Sequence, residues 1–95
     1  MNKTNIPEHV WVFNGDNSRF ASGVFSSIEK AEEWIAAHKL SGILTKYPLD
    51  MGVYEWTIQE GLFSVKKEEH KEPGFIGKFS SGSQEHFHYE NGKKE

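Results

Sequence analysis

The chain has 95 residues, a formal net charge of −3 and no cysteine. Its length fits one small domain, and the lack of cysteine excludes disulfide bonds, thiolate metal ligands and cysteine nucleophiles. The acidic excess disfavours nucleic acid as a partner, because neutralisation of phosphates dominates that binding. No signal-peptide core or membrane-spanning apolar run is visible, so we expect a cytoplasmic protein that does not bind membranes.

The N-terminal quarter predicts a loose arm followed by a β-hairpin. Residues 1–8 are polar, and we expect them to form a flexible arm. Residues 9–13 are β-branched and aromatic on both faces, which is typical of a central strand covered on both sides. Residues 14–18 are turn formers and residues 19–25 form a second strand, so the pair predicts an antiparallel hairpin.

Residues 27–39 predict an amphipathic helix. Ser26 and Glu29 have the spacing of a capping box, in which the two side chains satisfy backbone N–H groups at the helix start. Apolar side chains recur at helical spacing, and Gly42 is placed to end the helix. We expect the helix to pack on the sheet through Trp34 and Ile35.

The next segment contains one strand and one ambiguous stretch. Residues 43–47 predict a third strand. Residues 53–60 alternate as a strand would, but apolar side chains also recur there at four-residue spacing. The glycine at position 61 favours a short helix that ends before it.

The C-terminal third predicts a loop, a helical turn and a strand. Residues 64–72 are highly charged and suggest a solvated loop, after which Pro73 is suited to start a short helical turn. Residues 85–90 alternate polar with aromatic residues and predict the last strand. We expect residues 93–95 to form a tail.

Together these elements predict an α+β fold with one domain over residues 9–92. It consists of an antiparallel sheet of about four strands with an N-terminal β-hairpin. One main amphipathic helix packs on that sheet, and one or two short helical turns complete it.

The last strand carries the sharpest candidate site. His86, His88 and Glu90 alternate along it and share one face. Two imidazoles and a carboxylate are ligands that zinc and non-haem iron use. Polar residues alternating with aromatic ones are also typical of an ordinary surface strand, which is the interpretation we favour. We therefore predict that the protein holds no metal and no other cofactor. His86 and His88 are the candidate ligands if the metal alternative holds.

Two tryptophans, Trp11 and Trp56, are candidates for an interaction surface. Tryptophan is enriched at interface hot spots. A small domain also needs large rings in its core, which is the simpler role for both.

Several segments together resemble a small, mostly bacterial family of domains about one hundred residues long. In chain order they are VWVFNG (10–15), SGVFSS (22–27), EWI (33–35), LT (44–45), YPLD (47–50), GVY (52–54), Trp56, EH (85–86), HYE (88–90) and Gly92. The function of that family is unknown. The resemblance implies a free-standing domain and transfers no activity, cofactor or catalytic residue.

The sequence shows no Gly-rich phosphate loop and no convincing nucleophile–base set. We therefore expect a protein that is not an enzyme and that binds another protein, as immunity proteins and adaptors do. The alternative is a metal-dependent or small-molecule-binding enzyme built on His86, His88 and Glu90. The chain is expected to be a monomer or a homodimer.

Overall fold

The computed structural model describes residues 8–95, which divide into two compact units. The sheet unit comprises residues 8–49 and 84–95, and the insert unit comprises residues 50–83. Apart from Glu8, the predicted N-terminal arm lies outside the described residues. The backbone carbonyl of Glu8 accepts the N–H of Leu49, with N and O 3.0 Å apart.

The sheet unit has the predicted α+β architecture, with five antiparallel strands in the order β2-β1-β3-β4-β5. The predicted N-terminal hairpin is confirmed, and the strand count is one higher than expected. The elements of this unit are β1 His9–Gly15, β2 Gly23–Phe25, α1 Ile28–His38, β3 Gly42–Pro48, β4 His86–Glu90 and β5 Lys93–Lys94.

The fifth strand arises from a turn signal at the end of β4. Asn91 and Gly92 have φ values of 51° and 85°, and they join Glu90 to its partner Lys93 across a two-residue loop. Asn-Gly is a preferred pair for such a hairpin because both positions need positive φ. The segment predicted as a tail therefore begins as a short edge strand.

Helix α1 lies where the sequence predicts it, but its caps differ from the expected ones. Ser27, not Ser26, is the N-cap, and its Oγ accepts the N–H of Lys30 at 3.2 Å. The third helical position, from which the reciprocal hydrogen bond of a capping box is made, is therefore Lys30. Glu29 is not placed to make the predicted bond. The helix ends at His38 because Lys39 adopts left-handed geometry with φ 53°.

Gly42 does not end the helix; it lies in β3 beside β1. A Cβ at this position would come 2.3 Å from the carbonyl oxygen of Asn14. Real Cβ atoms do not approach backbone so closely, so the glycine permits the two strands to pair at this point.

The core of the sheet unit lies between α1 and one face of the sheet. Phe13 and Leu44 contribute from the sheet, and Ala31 and Ile35 contribute from the helix. The ring of Trp34 meets the ring of Phe13 edge-on, with centroids 5.8 Å apart. The predicted packing of the helix through Trp34 and Ile35 is thus confirmed.

The insert unit contains α2 Val53–Gln59, a 3₁₀ turn at Glu68–Lys71 and α3 Pro73–Lys78. The helix favoured for residues 53–60 and the helical turn after the predicted loop are both confirmed. Gly61 follows α2 with φ 74°, as a helix terminator should. The centre of this unit is a group of aromatic rings, namely Tyr54, Phe63, His70, Phe75 and Phe79.

Candidate functional site

The strands of the sheet unit present two unlike faces. Trp11 and Phe13 point to the face that α1 covers, whereas Val10 and Val12 point to the opposite face. The prediction that both faces of β1 are covered is not met in full, because Val10 and Val12 are only half-buried. Helix α1, the one helix of this unit, packs on the first face.

We call the central part of the second surface the open face and define it by six residues. Two rows across the sheet make it up, since directly paired residues point to the same side. The first row is Val24, Val12, Thr45 and His86, and the second contains Ile43 and His88. Val24 is 63% exposed and Ile43 is 38% exposed.

His86 is held in one orientation by the chain that precedes it. Its Nδ1 lies 2.8 Å from the carbonyl oxygen of Gln84. A carbonyl only accepts hydrogen bonds, so Nδ1 carries a proton, and in the neutral form of the ring the lone pair lies on Nε2. Gln84 is itself buried, and its amide nitrogen donates to the carbonyl of Lys46 at 3.1 Å. Gln84, whose carbonyl oxygen orients the His86 ring, is therefore itself held in place.

His88 lies next to His86 on the same face, and both side chains are exposed. The two ring centroids are 5.5 Å apart and the rings are nearly perpendicular. Glu90 continues the same side of β4 and pairs with Lys93 of β5. Over residues 8–95, no group of three or more His, Cys, Asp or Glu side chains is arranged to hold a metal ion.

The two candidate tryptophans occupy different environments. Trp11 is only 6% exposed and stacks on Phe87, with centroids 5.9 Å apart. Its ring therefore belongs to the core and not to an exposed patch. Trp56 lies on α2 of the insert unit and is half-buried.

A polar network ties α1 to the C-terminal hairpin on the covered face. The hydroxyl of Tyr89 donates to Glu32 at 2.6 Å, and Lys94 Nζ lies 3.0 Å from the same carboxylate oxygen. The hydrogen bond from Tyr89 is the main cause that lowers the pKa of Glu32, with Lys94 adding to it. Burial, followed by the bond to Glu32, raises the pKa of Tyr89.

Sequence reasoning missed this network because it assigned Lys94 to a tail. The Asn91-Gly92 pair was the signal that could have revealed it, since a hairpin there brings Lys94 opposite Tyr89. The arrangement joins one helix to two strands, so we assign it a structural role.

The sheet unit also has an open groove of about 500 Å³ beside the end of α1. Its walls are mainly apolar, with Phe13, Trp34 and Leu40 among them, and His38 is its titratable side chain. A general acid or base works with a positioned partner. Ser22 and Ser41 also line the groove, and we assign it no chemical role.

None of the helices in the part of the chain that is described has both the length and the apolarity to cross a membrane. This agrees with α1, the longest of them, which spans 11 residues.

The chain belongs to a family described as a domain of unknown function (DUF7710), whose model matches residues 10–95. The match covers nearly the whole chain, including both compact units. No curated protein and no solved structure matches the chain. Family membership thus supports the resemblance seen in the sequence and brings no activity with it.

Proposed function

We propose that this protein is a non-catalytic, cytoplasmic protein-binding module of the immunity or adaptor kind, and that its partner docks on the open face. The observation that carries the proposal is the exposure of two branched apolar side chains, Val24 and Ile43, on that face. Single exposed apolar residues are ordinary on protein surfaces. Here they are linked through Val12 and Thr45 into a continuous surface.

The composition of the open face suits the centre of an interface. Its six residues include neither lysine, arginine, aspartate nor glutamate, and charged residues are depleted at interface cores. Charge begins at the rim, where Glu90 of β4 lies opposite Lys93 of β5 in the strand register. A centre without charged residues and a charged rim fit the usual anatomy of a protein interface.

The edges of the sheet favour docking on the face over pairing at an edge. β2 has three residues and β5 has two, both of them lysines. Short and lysine-bearing edge strands disfavour addition of another strand. This supports a partner that contacts the side chains of the open face. A homodimer formed by pairing of sheet edges is the weaker proposal.

The net charge indicates the kind of partner. With a formal charge of −3, two copies of the chain repel each other, whereas a cationic protein is attracted. We therefore propose a partner other than a second copy, with an apolar patch surrounded by basic residues. The enzyme alternative has less support, because His86, His88 and Glu90 follow one another along a strand and do not converge from several elements.

A matched pair of substitutions tests the proposal. Ile43 and Ile58 are equally exposed at 38%, but Ile43 lies on the open face and Ile58 lies on α2 of the insert unit. Tagged full-length wild type, I43E and I58E are expressed at native level in the native host, and co-purifying proteins are quantified.

We expect one basic protein to co-purify with wild type and with I58E, and to be lost with I43E. Circular dichroism confirms that both variants fold. The proposal is wrong if I43E retains the partner as well as wild type does, or if wild type repeatedly purifies alone.

A further inference from the structure

We propose that His86 and His88 form a two-imidazole site for a late first-row divalent cation, with Cu²⁺ bound most tightly. This inference rests on the geometry of β4; it uses two residues of the open face, but it needs no partner protein and is tested on the chain alone. Water completes the coordination of the ion, because among residues 8–95 no third His, Cys, Asp or Glu side chain is grouped with this pair.

The spacing of the two rings fits one shared ion. An imidazole nitrogen lies about 2.0–2.1 Å from a divalent metal and about 1.1 Å from its own ring centre. Two rings on one ion therefore have centroids roughly 4.5–6.4 Å apart, as the N–metal–N angle opens from about 90° to about 180°. The observed separation of 5.5 Å lies within that range.

The tautomer of His86 also fits metal binding. Metal-ligating histidines usually donate their second ring N–H to a carbonyl or carboxylate, which orients the ring and raises the basicity of the ligand nitrogen. His86 makes this contact through Nδ1 to the carbonyl of Gln84 at 2.8 Å. Because Gln84 is buried and bonded to Lys46, the ring is oriented before any ion arrives.

The ligand set selects the class of ion. Two neutral imidazoles without a thiolate suit copper, nickel and zinc, and the affinity of such sites peaks at copper. Magnesium and calcium prefer a shell of oxygen ligands, so they are poor competitors here. Exposure of both rings gives the ion direct access from solvent.

The site can be tested with the full chain and CuSO₄. In proton NMR, paramagnetic Cu²⁺ broadens nearby resonances, so substoichiometric Cu²⁺ should remove the Cε1–H signals of His86 and His88 first. The signals of His38 and His70 should persist at the same copper concentration. Mg²⁺ at the same concentration should leave every signal in place.

Calorimetric titration then measures the affinity of wild type, H86Q, H88Q and the control H38Q. We expect one high-affinity Cu²⁺ per chain, at least about a tenfold weaker affinity for each of the first two variants, and no change for H38Q. Amide spectra confirm folding of each variant. The proposal is overturned if either single variant binds Cu²⁺ as tightly as wild type does, or if all histidine signals broaden together.

Discussion

The two faces of the sheet differ in what their side chains do, although they alternate residue by residue along the same strands. Leu44 is fully buried under α1, while its neighbour Ile43 points to the opposite side and is substantially exposed. The covered face carries the aromatic core and the Tyr89–Glu32–Lys94 network. Side chains one residue apart on a strand thus lie in different environments, and under the proposed function substitutions at neighbouring positions should separate stability from partner binding.

The largest expected effect on stability comes from truncating Leu44, and its neighbour Ile43 provides the comparison. Leu44→Ala removes a fully buried side chain and should lower the free energy of unfolding by about 2–5 kcal/mol. Ile43→Ala removes an exposed side chain and should cost less than about 1 kcal/mol. Urea denaturation of both variants measures the difference. Equal losses would mean that the two faces contribute equally to stability, against our account.

Gly42→Ala tests the close approach of β1 and β3 at Gly42. The added methyl group would meet the Asn14 carbonyl, so the strands must separate locally. We expect a loss of about 1–3 kcal/mol, typical of forced overpacking. Gly74→Ala is the control, because a Cβ at that position meets no atom within 4 Å. A melting temperature unchanged in Gly42→Ala would rule out the steric role.

Tyr89→Phe tests the network that closes the covered face. It removes the hydroxyl that donates to Glu32, and we expect a loss of about 1 kcal/mol at neutral pH. The expected loss is small because the Glu32 side chain is 35% exposed and solvent screens its charge.

The same variant makes a prediction about pH. Because folding lowers the pKa of Glu32, the stabilisation is fully present above the ordinary value of 4.5 and is lost as pH falls through the lower folded value. The gap in stability between wild type and Tyr89→Phe should therefore shrink in acid. A gap that stays constant from neutral pH to pH about 3 would show that the carboxylate is not involved.

Ser27→Ala has the smallest expected effect and tests the corrected helix start. Loss of the bond from Lys30 N–H should cost about 0.5–1 kcal/mol. Ser26→Ala is the matched control and should cost less, since Ser27 is the N-cap. If Ser26→Ala lowers the melting temperature more than Ser27→Ala does, then Ser26 is the N-cap, as the capping box predicts.

The local elements were predictable from sequence because their signals are local. Helical spacing places Trp34 and Ile35 on the buried side of α1. Strict alternation places His86 and His88 on the side of β4 that faces away from Tyr89. Positions that depend on partners distant in sequence were not predictable. Gly42 resembles a helix stop until β1 is seen beside it.

The candidate site was predictable only in part, for the same reason. Alternation placed His86, His88 and Glu90 on one side of β4 and the aromatic residues between them on the side to be buried, but it could not tell which face of β1 α1 covers. That choice buries Trp11 and leaves Val24 and Ile43 exposed. It depends on tertiary packing, which no pattern within a single strand contains.

The central claim is that the open face is the binding surface, and hydroxyl-radical footprinting of the complex tests it most directly. The protein is labelled alone and in the complex purified from its host, and oxidation is compared residue by residue. We predict protection of Val24, Ile43 and His88 in the complex, with Ile58 and Leu62 oxidised equally in both samples. Protection of Ile58 and Leu62 with unchanged oxidation of Val24 and Ile43 would contradict the claim.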